Sequence, residues 1–246
     1  MLRRRELTKG VFGEMSTEIP PAGRDSAAAA KLQILATEHW SLLATRSLTY
    51  TESLGRVNIF LAILSGAVIA LALVAQADRF GPTFISIAIF VLLVVLFTGV
   101  ATIARLMHLN RDDFRWVVGM NRLRHGYLEL HPELEAHFTA SPYDDLRGAL
   151  QTLGIDLVAA RGVGSSLHVF QTLPGMLSVI VAAVAGAIGA LIALAVAAPQ
   201  LGVGLSAAAG FLIAVVLMGL WGRRSFTRLD PSLEPRFPSP KASERG

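Results

Sequence analysis

Four long apolar runs constrain this chain more than any motif in it: Val57–Ala77 (VNIFLAILSGAVIALALVAQA), Pro82–Met107, Leu173–Ala198 and Leu201–Trp221. About 20 apolar residues at about 1.5 Å rise each cross the hydrocarbon core of a bilayer, so each run reads as a transmembrane helix. The connectors, Asp78–Gly81 and Pro199–Gln200, are so short that the helices pair as two antiparallel hairpins. Pro82 suits a first helical turn, where its missing N–H costs little. The fold class expected is an all-α membrane protein with four transmembrane helices. Charge content agrees: 16% of the 246 residues are charged, where soluble domains carry about a quarter. Mean hydropathy is +0.54. With no cysteine, disulfides are excluded and the redox compartment stays open.

Lysine and arginine placement orients the spans. Of the 22 basic residues, only Arg79 lies in a short connector; Arg105 lies at the far end of the second run, and the rest fall at the N-terminal segment, the central region or the C-terminal tail. Both termini and the central region are therefore expected in the cytoplasm. This asymmetry accounts for the sequence pI near 10.0 without nucleic acid as a partner, and it favours anionic headgroups. Arg3, Arg4 and Arg5 imitate a signal-peptide n-region, but no apolar core follows them. Residues 1–26 read as a disordered lead, within which Met15 is a second candidate start, and residues 223–246 as a disordered basic tail.

Two amphipathic helices flank the first hairpin. From Ala27 to Arg56 no proline interrupts the run into the first span. Leu32, Leu35, His39, Leu42, Arg46 and Thr49 share a flank, with Leu43, Tyr50 and Leu54 near it, and Ser26 is placed to cap. In Arg111–Leu130 (RDDFRWVVGMNRLRHGYLEL), Trp116, Met120, Leu123, Tyr127 and Leu130 recur at heptad spacing, on one side of a helix. Arg111, Arg115, Arg122, His125 and Glu129 lie on another side, where Asp112 can pair with Arg115 and His125 with Glu129. His131-Pro132 ends the helix. The expectation is that this helix docks its aromatic side on Ala27–Arg56 and leaves Arg115, Arg122 and Arg124 available. The candidate interaction surface is Arg115, Trp116, Asn121, Arg122, Arg124 and Tyr127. Farther on, Ser141 and Pro142 suit the start of a helix of about 10 residues, its positive end favoured by Asp144 and Asp145 and its stop at Gly154. The whole central region, 108–172, is small for an independent catalytic domain.

Reaction motifs are weak. Gly162-Val163-Gly164 lacks the third glycine of a dinucleotide fingerprint and follows no strand. His125, His131 and His137 recur every six residues, not the three or four of a helical zinc motif, and Pro132 breaks the run. No Asp, Glu, Lys or His occupies the middle of a span, which disfavours a proton-coupled transporter. Arg105 is near enough to a span end to snorkel. Ala182, Gly186 and Ala190 repeat at four, as do Gly202, Ser206 and Gly210, the small-residue pattern that lets helices approach closely in lipid. Gly186, Gly189, Gly202, Ser206 and Gly210 are the candidate packing residues, within one chain or between copies.

The segments KLQILATEHWSLLATRSLTYTES, GMNRLRHGYLELHPELEAHF and TLPGM together make the chain similar to an uncharacterised family of bacterial, largely actinobacterial, integral membrane proteins, over roughly residues 30–220. The resemblance implies four spans and a bacterial inner membrane, and carries over no activity or functional residue. The layout alone, helices flanking transmembrane hairpins, also resembles membrane effectors of bacterial defence systems. The function expected is a non-enzymatic scaffold, sensor or effector acting through its cytoplasmic helices, without cofactor or metal. Its expected partners are lipid headgroups, a second copy or a cytoplasmic protein. The alternative is an oligomeric channel or membrane-perturbing effector, then a small transporter.

Overall fold

The computed structural model describes residues 21–155, 172–227 and 233–240. All regular structure among them is helical: α1 (Pro21–Asp78), α2 (Pro82–Leu130), a 3-10 turn (Pro132–His137), α3 (Leu146–Thr152), α4 (Leu173–Ala195) and α5 (Gln200–Thr227). Four of these, α1, α2, α4 and α5, are long and apolar enough to cross a membrane.

Length separates these four into two kinds. At about 1.5 Å per residue, the 58 residues of α1 make about 87 Å and the 49 of α2 about 74 Å. Both far exceed a bilayer core, whereas the 23 residues of α4 suit one crossing. The hydroxyl-rich part of α1 is accommodated because its hydroxyls find partners within the helix itself. Thr37, Thr45, Thr49, Thr51 and Ser53 each donate to the carbonyl four residues earlier, at 2.8–3.0 Å.

The turn between α1 and α2 is built on Asp78. Its carboxylate accepts from the Phe84 N–H at 2.6 Å, and its carbonyl accepts from the Gly81 N–H at 2.9 Å. Arg79 and Phe80 take left-handed backbone angles, φ 46° and 65°, which side-chain-bearing residues adopt at a cost. A Cβ on Gly81 would lie 2.9 Å from the Asp78 carboxylate.

α2 is the central element, packed by both α1 and α4, while α5 packs on α4. Phe60 of α1, Val95, Ile103 and Leu106 of α2, and Leu177 and Val181 of α4 form the buried core. The helices pinch at Gly99, where a Cβ would stand 2.5 Å from Val181 Cγ2 and 2.9 Å from Phe60 Cε2. Between apolar helices in lipid, close van der Waals fit supplies the association that the hydrophobic effect cannot. Around this core the apolar side chains face outward: Phe90, Phe97, Leu201, Leu212 and Leu217 are all exposed.

Several boundaries depart from the sequence reading. The helix expected from Ala27 begins at Pro21, inside the lead read as disordered, so Ser26 lies within α1 and does not cap it. The third apolar run is helical only to Ala195, with Ala197 left-handed at φ 56° in the turn to α5. The short helix caps on Asp145, not Ser141: Asp145 Oδ1 accepts from the Gly148 N–H at 2.8 Å, and α3 is 7 residues long. Ser141 Oγ instead accepts from the Tyr143 N–H at 3.2 Å. Within the tail read as disordered over 223–246, two stretches are described. α5 runs to Thr227, and Leu233–Pro240 is bonded to α2 and to the loop before α3. Gly162–Gly164 lie outside the described residues.

Candidate functional site

Beyond the apolar stretch, the two long helices stay together. Lys31 Nζ donates to Glu129 at 3.3 Å, and Arg46 holds Asp113 through two guanidinium N–H groups at 2.6 and 3.2 Å. Arg105 does not snorkel alone: Nε and Nη2 donate to Glu52 at 3.0 and 3.2 Å. Two glycines of α2 receive leucines of α1. A Cβ on Gly119 would lie 3.1 Å from Leu42 Cδ1, and one on Gly126 would lie 3.4 Å from Leu35 Cδ1. Both pairs are seven residues apart, so a heptad repeat in each helix brings knob and notch into register.

A second layer covers another side of α2. Val117, Val118 and Met120 are buried with Ala149 of α3, and Leu42, Phe114, Leu153 and Leu233 pack around them. Beside this cluster, Asn121 is fully buried with its amide satisfied on three sides. Nδ2 donates to the Tyr143 carbonyl at 2.7 Å, and Oδ1 accepts from Arg124 Nη1 at 2.7 Å and Thr152 Oγ1 at 3.0 Å. Thr152 Oγ1 in turn accepts from the Ser141 N–H at 3.2 Å. The cost of burying an amide is thus met by bonds to the connection and to both ends of the segment it secures.

Asp144 is the other buried polar centre. Its carboxylate accepts from Arg122 Nε at 2.8 Å and from the Arg236 and Phe237 N–H groups at 2.9 and 2.8 Å. Burial alone would raise its pKa; the Arg236 N–H, the Arg122 guanidinium and the Phe237 N–H outweigh that and hold the carboxyl below the usual aspartate range. Next to it, Asp145 accepts from Ser239 Oγ at 2.8 Å. The Phe237 ring stacks on His125, with centroids 4.0 Å apart.

Of the six residues singled out as an interaction surface, Asn121, Arg122 and Arg124 belong to this internal network. Arg122 and Arg124 are therefore not available as expected: Arg122 also donates to the Glu234 carbonyl at 3.0 Å, and Arg124 is held by Asn121. Tyr127 lies between His39 and Phe138, with centroids 6.0 and 6.3 Å away, and Trp116 is half-buried. Arg115 is exposed and pairs with Asp112 at 3.3 Å. His125 and Glu129 stand 3.9 Å apart. The partners that sequence reasoning missed are Asp113, Gly119, Gly126, Phe237 and Ser239. Only the two glycines carried a signal, their spacing of seven.

The small residues of the last two helices lie at the α4–α5 crossing of one chain. A Cβ on Gly189 would stand 2.5 Å from the Ser206 carbonyl oxygen, one on Gly186 2.9 Å from that of Ala207, and one on Gly210 2.8 Å from that of Ala185. Gly202 is apart from this crossing, meeting only Ala198 and Pro199 at 3.4 Å or more.

Among the described residues, no three His, Cys, Asp or Glu side chains group as metal ligands. The arrangement defines a helical protein with four membrane-length apolar helices and a polar, internally bonded extension of two of them. No family model, curated protein or solved structure matches the chain.

Proposed function

We propose that this chain is a multi-pass protein of a bacterial inner membrane, related to the four-span family that its sequence resembles. In this reading its apolar helices form two antiparallel hairpins and both termini face the cytoplasm. The polar extensions of α1 and α2 then form a cytoplasmic layer that engages a protein partner or anionic headgroups, without catalysis. The observation that carries the reading is the length of α1 and α2: each exceeds a bilayer crossing by more than half, and the excess is interlocked by Leu35 with Gly126, Leu42 with Gly119, and Arg46 with Asp113. A mere loop between spans needs no such construction. On the outside of this layer α1 exposes Ile34 (70%), Trp40 (71%), Leu48 (71%) and Tyr50 (63%), more apolar surface than an unpartnered soluble helix presents.

Crosslinking in cells followed by purification tests this reading. A protein captured by the native chain and lost on Trp40→Ala with Tyr50→Ala supports it, together with silent planar bilayers containing the pure chain. The second reading is an oligomeric channel. It draws support from α5, whose apolar face is turned outward, and from an apolar groove of about 440 Å³ lined by Leu96, Val100, Gly210, Ile213, Leu217 and Trp221. Stepwise conductance from the pure chain would favour it.

A further inference from the structure

The segment Leu233–Pro240 (LEPRFPSP) is held in an unusual way for a terminal stretch. Its three prolines leave five backbone N–H groups. Three of those, on Arg236, Phe237 and Ser239, donate to the side-chain carboxylates of Asp144 and Asp145 at 2.9, 2.8 and 3.2 Å. The Asp144 N–H donates back to the Phe237 carbonyl at 3.1 Å, and Arg122 Nη2 reaches the Glu234 carbonyl at 3.0 Å. Side chains add register: Phe237 stacks on His125, and Leu233 closes over the Val117–Val118–Met120 cluster. Main-chain bonds for affinity and spaced side chains for register are how receptor surfaces bind short peptides, and prolines reduce the ordering that such binding requires.

We propose that Asp144, Asp145, Arg122 and His125 form a peptide-receiving groove, and that the chain's own Leu233–Pro240 is its exchangeable resting occupant. The segment thereby latches the end of α5 to the extension of α2. Exchange is built into the chemistry. The groove's acceptors are side-chain carboxylates, so a departing segment leaves no backbone bond of α2 or α3 broken. Glu234, Pro235, Arg236 and Pro238 are exposed, so the side-chain hold on the segment rests on part-buried Leu233 and Phe237 and on the Ser239 hydroxyl bonded to Asp145. The proposal deepens the reading of the extensions as an interaction layer, yet its readout does not depend on which side of the membrane the layer faces.

The test uses the full chain in lipid nanodiscs, with hydrogen exchange and a fluorescent synthetic peptide of residues 233–240. In the native chain the Arg236, Phe237 and Ser239 amides should exchange at least tenfold more slowly than in the free peptide. Phe237→Ala should return them to the free-peptide rate while the amides of 117–124 keep their protection. That variant should also bind the peptide at least tenfold more tightly than the native chain, whose groove is filled. Native amides exchanging as fast as the free peptide would overturn the proposal, as would equal binding, or none, by the two chains. Should Phe237→Ala also expose 117–124, Ser239→Ala replaces it: it keeps the anchor ring, removes one donor to Asp145, and must still raise peptide binding above the native level. A crosslink from position 237 to position 125 of a second copy, with none within one chain, would also overturn it.

Discussion

Arg122 Nε meets the fully buried carboxylate of Asp144 at 2.8 Å, 22 positions along the chain and beyond the 3-10 turn. This contact ties the end of α2 to the start of α3, and through the same carboxylate to Arg236 and Phe237. Asp144→Ala should therefore destabilise the extension by about 3 kcal/mol, since it strands a guanidinium and two N–H groups at once. Thermal unfolding in detergent, followed by hydrogen exchange of 117–124, reads the loss.

The same carboxylate sets a pH dependence. Its folded pKa is below the unfolded value, so its contribution is fully present above about pH 4 and is lost as the pH falls through the folded value. Melting curves of the native chain should lose stability on acidification below about pH 4, and Asp144→Asn should flatten that part of the profile.

Arg122→Ala with Arg124→Ala should damage the fold, not merely a surface. Both guanidiniums bond inside the network, one to Asp144 and one to Asn121. A loss of about 2–4 kcal/mol is expected for two charged hydrogen-bond donors. Arg115→Ala, on an exposed i,i+3 pair with Asp112, should change stability by no more than about 0.5 kcal/mol. Comparing the melting points of the two variants separates the roles.

Four apolar helices could be read directly, because about 20 consecutive apolar residues have few other uses. Of the heptad-spaced residues of α2, Tyr127 meets His39 of α1, whereas Met120 is buried with Ala149 of α3. The notches at Gly119 and Gly126 left only their spacing of seven as a signal, since glycine within a helix gives no hint of which side chain fills it. The use of Arg122 and Arg124 was not readable. A pattern assigns a side of a helix, but here the opposing groups, Asp144 and the 233–240 segment, come from 22 and more than 100 residues away. Within the tail read as disordered and basic, the structure bonds Arg236, Phe237 and Ser239 to those distant carboxylates, partners that no local pattern announces.

Gly99→Val should cost about 1–3 kcal/mol by overpacking, because Val181 and Phe60 approach from two helices at once. Gly189→Leu should cost as much or more, its obstacle being the Ser206 backbone, which cannot rotate away. Gly66→Ala and Gly204→Ala, with nothing within 4 Å of the new Cβ, are the controls and should melt no lower than the native chain, since alanine favours a helix over glycine by up to about 1 kcal/mol.

The central claim is that the extensions of α1 and α2 lie together on the cytoplasmic side. The chain has no cysteine, and His137 is exposed at the end of the 3-10 turn. A single cysteine at position 137 can therefore be labelled in intact cells with a membrane-impermeant maleimide. The account predicts no labelling until the inner membrane is permeabilised, and full labelling afterwards. Labelling of the intact cells from the periplasmic side would contradict it.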